Sequence, residues 1–171
     1  MHDLAVTAIG TDRPGIVAAV TRVLHDRGGN LEDSAMTILG GHFAIVLLVA
    51  TEDDPDELHG ALTAATADLG LTISVSRADA TRQETEPTHL LSVYGADRPG
   101  IVAEVTGALA EVGANVIDLE TQVIGAPSEP VYAMLIELAT DDPDGMTRAV
   151  SDACATLGVD HTLRSIDTET Y

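Results

Sequence analysis

The spacing of apolar positions changes period along this chain, and it does so twice in the same order. In DLAVTAI, Leu4, Val6 and Ala8 alternate against Thr7, which predicts a strand with one buried face. From Ile16 the spacing becomes helical, with Ile16, Val20, Val23 and Leu24 on one stripe. Asp12 before Pro14 supplies a helix start and Gly28-Gly29 a stop. NLEDSAMTIL and HFAIVLLVA are then two extended runs joined at Gly40-Gly41, a hairpin signal. TEDDPDELHGALTAATADLG opens with acidic caps and Pro55, sets Leu58, Leu62, Ala65 and Leu69 at helical spacing, and ends at Gly70. LTISVSR closes the series as a strand, so the predicted order is β-α-β-β-α-β.

The order is then replayed by THLLSVYG, DRPGIVAEVTGALAEVGA, NVIDLETQVIG, PVYAMLIELA, DDPDGMTRAVSDACATLG and VDHTLRSI. GTDRPGIVAAV, from Gly10, and GADRPGIVAEV, from Gly95, differ only where Thr11 faces Ala96 and Ala19 faces Glu104. Such a match at constant offset reflects internal repetition. The longer second hairpin, GAPSEP, shifts the expected offset from 85 to 88 by the second helix pair. The polar stretch ADATRQETEPT reads as a linker, giving domains at 1–79 and 88–171 with a linker at 80–87. A βαββαβ unit of this length predicts an α+β ferredoxin-like sandwich, an antiparallel four-stranded sheet with two helices on one face. NLEDSAMTIL and NVIDLETQVI fall at sheet edges, so the two halves are expected to join their sheets there, and the chain to form a homodimer.

Composition narrows the function. Hydrophobic residues make up 45% of the chain with one Phe, three Tyr and no Trp, so the interior is aliphatic. The formal net charge is -20, from 28 Asp and Glu against eight basic residues, all of them Arg. Nucleic-acid affinity depends on cationic side chains displacing counterions, so direct binding is disfavoured. There is no run of 18 apolar residues, and MHDLAVTAIG lacks the basic region and cleavage site of a signal peptide; a cytoplasmic protein without membrane contact is expected. Cys154 takes a core-facing helical position near Val150 and Leu157 and reads as a buried hydrophobe. The acidic run from Glu52 to Glu57 reads as helix capping rather than a metal site. No phosphate-binding loop, Cys or His pair at metal-ligand spacing, or G-x-S-x-G occurs, and the six His are scattered over different elements. No catalytic residue, metal or cofactor is expected.

The recurring DRPGI turn has two readings. In one it is structural: Asp caps the helix, Pro fixes its first turn, Gly relieves crowding and Ile anchors the core. In the other it binds a small anion, because a helix N-terminus offers free backbone N–H groups and Gly15 or Gly100 permits close approach. An amino-acid carboxylate fits there, with the Asp12 or Asp97 carboxylate receiving the ammonium, and Asn30 or Asn115 able to donate and accept.

On these residues the chain resembles tandem ACT-domain proteins over nearly its whole length. AIGTDRPGIVAAVTRVLHDRGGNLEDSAM is similar in particular to the glycine cleavage system transcriptional repressor family. DRPGI also resembles the regulatory ACT segments of formyltetrahydrofolate deformylases and nucleotidylyltransferase sensors. The resemblance implies that a small amino acid sits between the strand-to-helix turn of one domain and the second strand of a neighbour. Carried over, it points to Asp12, Arg13, Gly15, Ile16 and Asn30, and to Asp97, Arg98, Gly100, Ile101 and Asn115. The second halves of those repressors tend to lose this turn; here it is intact, which implies two pockets.

Both units are expected to consume the chain, so no catalytic domain in cis is expected. The leading expectation is an amino-acid sensor acting on a separate protein partner, in which transcriptional control of glycine or serine metabolism would pass through that partner without DNA contact. A ligand-free interaction or assembly module is the alternative, and a small enzyme with an unrecognised site the third.

Overall fold

The structure, a computed structural model, describes residues 2–78, 85–126 and 129–166, with Glu129 described by its backbone alone. The chain divides into two compact units, residues 1–83 and 84–171. Of the expected linker, residues 80–84 lie outside the described part, as do Pro127 and Ser128 of the second hairpin.

The first unit runs β1 (His2–Thr11), α1 (Ile16–Asp26), β2 (Asn30–Leu39), β3 (His42–Thr51), α2 (Pro55–Ala65) and β4 (Thr72–Arg77). The second runs β5 (His89–Ala96), α3 (Ile101–Glu111), β6 (Asn115–Ala126), β7 (Glu129–Ala139), α4 (Pro143–Leu157) and β8 (Asp160–Ser165). Strand orders are β2-β3-β1-β4 and β6-β7-β5-β8, with every pairing antiparallel. Each unit is therefore the ferredoxin-like sandwich that the periodicity predicts.

Alternation explains how the layers meet. Leu4, Val6 and Ala8 of β1 and Phe43, Ile45, Leu47 and Val49 of β3 are buried together with Ile16, Val20 and Leu24 of α1 and Leu58 and Leu62 of α2. In the second unit Leu91, Val93, Met134, Ile136 and Leu138 meet Ile101, Val105 and Leu109 of α3 and Met146, Val150 and Cys154 of α4. Burying each of the Val, Leu, Ile, Phe and Met side chains among them contributes about 1.5–3 kcal/mol. Burial also pushes the Cys154 thiol above its ordinary pKa, which keeps it a neutral core hydrophobe.

Two local expectations are corrected. Asp12 does not cap α1: the N-cap is Gly15, no side chain caps the helix, and the Asp12 N–H instead donates to Gly41 O at 2.9 Å. The chain needs residues 12–15 to turn out of β1 before it can enter the helix, so the helix begins at Ile16 rather than at the proline. The second helix stops at Ala65, and Ala67–Leu69 follow as a 3-10 turn ending at Gly70. The repeat offset reaches the expected 88 at α4, by way of 89 through β7. Ile38 pairs with Phe43 and Val123 with Tyr132, and one residue is dropped before the second Asp-Pro. The acidic run behaves as expected, with Asp54 capping α2 by accepting from Asp56 N at 2.9 Å.

The edge strands share an irregularity. Register shifts between Leu31 and Asp33 in β2 and between Val116 and Asp118 in β6, at the same place in each unit. A bulge with acidic neighbours is a device that discourages indiscriminate edge pairing.

Candidate ligand-binding turns

Each DRPGI turn connects one of the two central strands of its sheet, β1 or β5, to the first helix of its unit. Gly15 and Gly100 have the same backbone, φ 96 and ψ -9, a left-handed conformation that L side chains rarely adopt. A Cβ there would meet nothing within 4 Å, so φ and not crowding demands glycine, and the space above the turn is open. The first intrahelical bonds run from Ala19 N to Gly15 O at 2.9 Å and from Glu104 N to Gly100 O at 3.0 Å. The backbone N–H groups of Ile16, Val17 and Ala18, and of Ile101, Val102 and Ala103, precede them as free donors at the positive end of the helix.

The Asp12 and Asp97 side chains are exposed and have no hydrogen-bond or ion-pair partner among the described residues.

Arg13 and Arg98 are engaged elsewhere. Arg13 Nη1 donates to Asp68 O at 3.3 Å, while Arg98 Nη2 donates to Leu157 O at 2.6 Å and more loosely to Gly158 O at 3.4 Å. These carbonyls lie where the second helix of each unit ends, and a cation there answers unpaired acceptors and the negative end of the dipole. The glycine before each turn completes the junction. A Cβ on Gly10 would sit 2.7 Å from Leu71 Cδ2 and 3.1 Å from Gly70 O, and one on Gly95 would sit 2.6 Å from Val159 Cγ1. The G-x-D-R motif therefore locks the strand-to-helix turn onto the following helix-to-strand junction. Sequence reasoning missed this, because the acceptors lie 55 to 60 residues downstream; the signal available was that Arg recurs where the structural reading of the turn had no use for it.

The asparagines are not brought to the turns within their own units. Asn30 begins β2 opposite Ala50 of β3, whereas Thr11, at the turn, lies opposite His42. Eight residues of strand separate those positions, about 26 Å at 3.3 Å per residue. Asn115 opposite Ala139 and Ala96 opposite Val131 repeat the separation.

An open groove of about 520 Å³ lies beside the first turn, lined by residues 12–18, Thr21 of α1, Met36 of β2 and Phe43 of β3. The turns differ electrically in one respect. Glu104 places a carboxylate in the first turn of α3, where α1 has Ala19, so the chain itself partly answers the dipole of α3.

A bidentate ion pair stands apart from the turns. Arg27, at the end of α1, bonds Asp53 through Nε and through Nη2, the latter at 2.7 Å, and Glu57 Oε2 lies 3.6 Å from Nη2. The hydrogen bond from Arg27 holds the Asp53 carboxyl below its usual range. No group of three or more His, Cys, Asp or Glu with metal-holding geometry occurs among the described residues, and none of their helices is long and apolar enough to cross a membrane.

The chain is thus a duplicated ferredoxin-like protein with an open glycine turn at the head of each unit's first helix. The ACT-domain profile matches residues 2–76 and 88–163, and the chain belongs to the ACT-domain family. It is 29% identical over 144 residues to the glycine cleavage system transcriptional repressor of Escherichia coli strain K12, across 83% of this chain and 76% of that protein. A UPF0237 protein of Methanopyrus kandleri is 41% identical over 85 residues, covering 48% of this chain and 94% of its own length. Among solved structures, a protein of Galdieria sulphuraria described as unknown superposes with a TM-score of 0.83 at 33% identity, over 96% of this chain and 98% of that one.

Proposed function

We propose that this chain is an amino-acid sensor that regulates a separate protein, with each DRPGI turn holding the charged ends of a small free amino acid. The observation that carries the reading is a duplicated set of unused groups: free helix N–H donors, an open space over Gly15 and Gly100, and unpartnered Asp12 and Asp97 carboxylates. The carboxylate of the amino acid meets the N–H groups and Ile16 or Ile101 at the helix start, and its ammonium meets the aspartate. Arg13 and Arg98 support the turn from behind. Asn30 and Asn115 reach such a ligand only from the second strand of a neighbouring ACT unit running antiparallel, which accords with their distance from the turn of their own unit.

The relationship to the glycine cleavage repressor supports a regulatory output in glycine or serine metabolism, without catalysis by this chain. At a net charge of -20 that output passes through a protein partner and not through DNA. Salt-sensitive retention of duplex DNA by the purified protein would overturn that part. The main test is calorimetry against the twenty amino acids, where micromolar to millimolar affinity is expected, about -8 to -4 kcal/mol. Asp12→Ala and Asp97→Ala should each remove one site while the fold persists; unchanged binding in both variants would sink the reading.

A ligand-free assembly module is the second reading, favoured by Arg13 and Arg98, whose hydrogen bonds give DRPGI a structural purpose, and by the exposed apolar residues Ile38, Leu39, Val123 and Ile124 on the edge strands. It predicts no amino-acid heat in the parent protein together with self-association.

A further inference from the structure

The two turns are nearly identical, yet the surfaces beneath them are not. Residues 12–18 and Thr21, which line the groove of the first unit, recur unchanged as residues 97–103 and Thr106. Even the threonine hydroxyls are spent alike, each donating at 2.8 Å to the carbonyl four residues back, Val17 O and Val102 O. The groove's other two lining residues come from the sheet and do change. Strand register fixes their counterparts: Met36 pairs with Ile45 as Thr121 pairs with Met134, and Ile38 pairs with Phe43 as Val123 pairs with Tyr132. Met36 therefore becomes Thr121, and Phe43 becomes Tyr132.

Both changes add a hydroxyl. Phe43 is buried at 1% exposure, and the groove wall it shares with Met36 offers a ligand only hydrocarbon and thioether contact. Tyr132 is half-buried against the second core and Thr121 is exposed, and neither hydroxyl has a hydrogen-bond partner among the described residues. A wall without donors or acceptors favours an apolar side chain, because a hydroxyl moved against it loses water and gains no bond. A wall carrying unspent hydroxyls reverses that preference.

Resting on the sensor reading above, we propose that the two pockets recognise different classes of amino acid. The first takes an aliphatic side chain against Met36 and Phe43, and the second takes a short hydroxyl-bearing one against Thr121 and Tyr132. The protein then reports on two metabolites rather than counting one twice.

The test is calorimetry of the full chain with L-valine, L-leucine, L-serine, L-threonine and glycine, using Asp97→Ala to isolate the first pocket and Asp12→Ala to isolate the second. The first pocket should prefer valine or leucine over serine by roughly tenfold and the second should show the opposite order, the scale set by one methylene-sized contact or one hydrogen bond. Tyr132→Phe with Thr121→Met should turn the second pocket toward the aliphatic ligands. The reciprocal Phe43→Tyr buries a hydroxyl and risks the fold, so Tyr132→Phe alone, which removes one unpaired atom, carries the decision and should cut the serine preference about fivefold. The same rank order in both pockets, or a serine preference untouched by Tyr132→Phe, overturns this inference and leaves the sensor reading standing. Absence of amino-acid binding in the parent, or binding indifferent to both aspartate variants, removes the sensor reading and this inference with it.

Discussion

At the residue scale the same substitution is expected to have opposite signs according to backbone conformation. Gly15 sits at φ 96 with open space around it, so Gly15→Ala should destabilise the first unit by about 1–2 kcal/mol through strain alone. Gly107, inside α3 and with equally open space, has no such constraint, and Gly107→Ala should stabilise the second unit by about 0.5–1 kcal/mol. Denaturant melts of the two variants check both signs, and a stabilised Gly15→Ala would show that the left-handed turn is not held in solution. Gly15→Val would strain the fold further, since a β-branched residue is disfavoured at that φ. Arg98 is placed to do structural work at the same turn. Arg98→Leu removes a donor from the end of α4 and should cost about 0.5–1 kcal/mol, discounted because the arginine is exposed. If the melt of that variant matches the parent, the tether between turn and helix end has no energetic weight.

At the scale of elements, the Arg27 and Asp53 pair joins the end of α1 to the loop before α2, and the second unit has Val112 in place of Arg27. Asp53 has a folded pKa lowered below 3.8, first by the hydrogen bond from Arg27. A depressed carboxyl contributes stability that is present above its unfolded pKa and lost as pH falls through the folded value. The pair should therefore stabilise the first unit at neutral pH and stop doing so in acid, below about pH 3.8. Urea midpoints for the parent and Arg27→Val, taken from pH 7 down to pH 3, should differ most at the neutral end and converge in acid. A constant difference across that range would assign the effect of Arg27 to packing of its stem rather than to charge.

At the scale of the whole molecule, each sheet has one edge strand, β2 or β6, that is exposed nearly throughout its length while keeping large apolar residues on display. Ile38 at 52% exposure and Val123 at 58% are examples. Edges of this kind seek a partner, and the proposed role of Asn30 and Asn115 requires one from a second ACT unit. Ile38→Lys puts a charge on the β2 edge and should shift sedimentation toward smaller species and weaken amino-acid binding together. Unaltered association would remove β2 from any interface. Loss of association with binding intact would separate assembly from sensing.

Periodicity alone determined the two βαββαβ units, the faces that form the two cores and the placing of Cys154 among them. Those properties arise from side chains a few residues apart, and the choice of face follows wherever one side of an element is buried. The repeat likewise marked the two DRPGI turns as equivalent positions. What tertiary structure decided are relations between distant residues: Arg13 and Arg98 bond carbonyls 55 to 60 residues away, and Gly10 and Gly95 are glycines because another segment lies against them. Strand order put Asn30 at the far end of the sheet from Asp12 although the two are only eighteen positions apart in the chain. Cross-strand register also paired Met36 with Thr121 and Phe43 with Tyr132 as counterparts, at offsets of 85 and 89. A hydrogen bond or a pocket wall depends on which segments become neighbours, and that is set by the order of strands in the sheet, which no local pattern of apolar residues encodes.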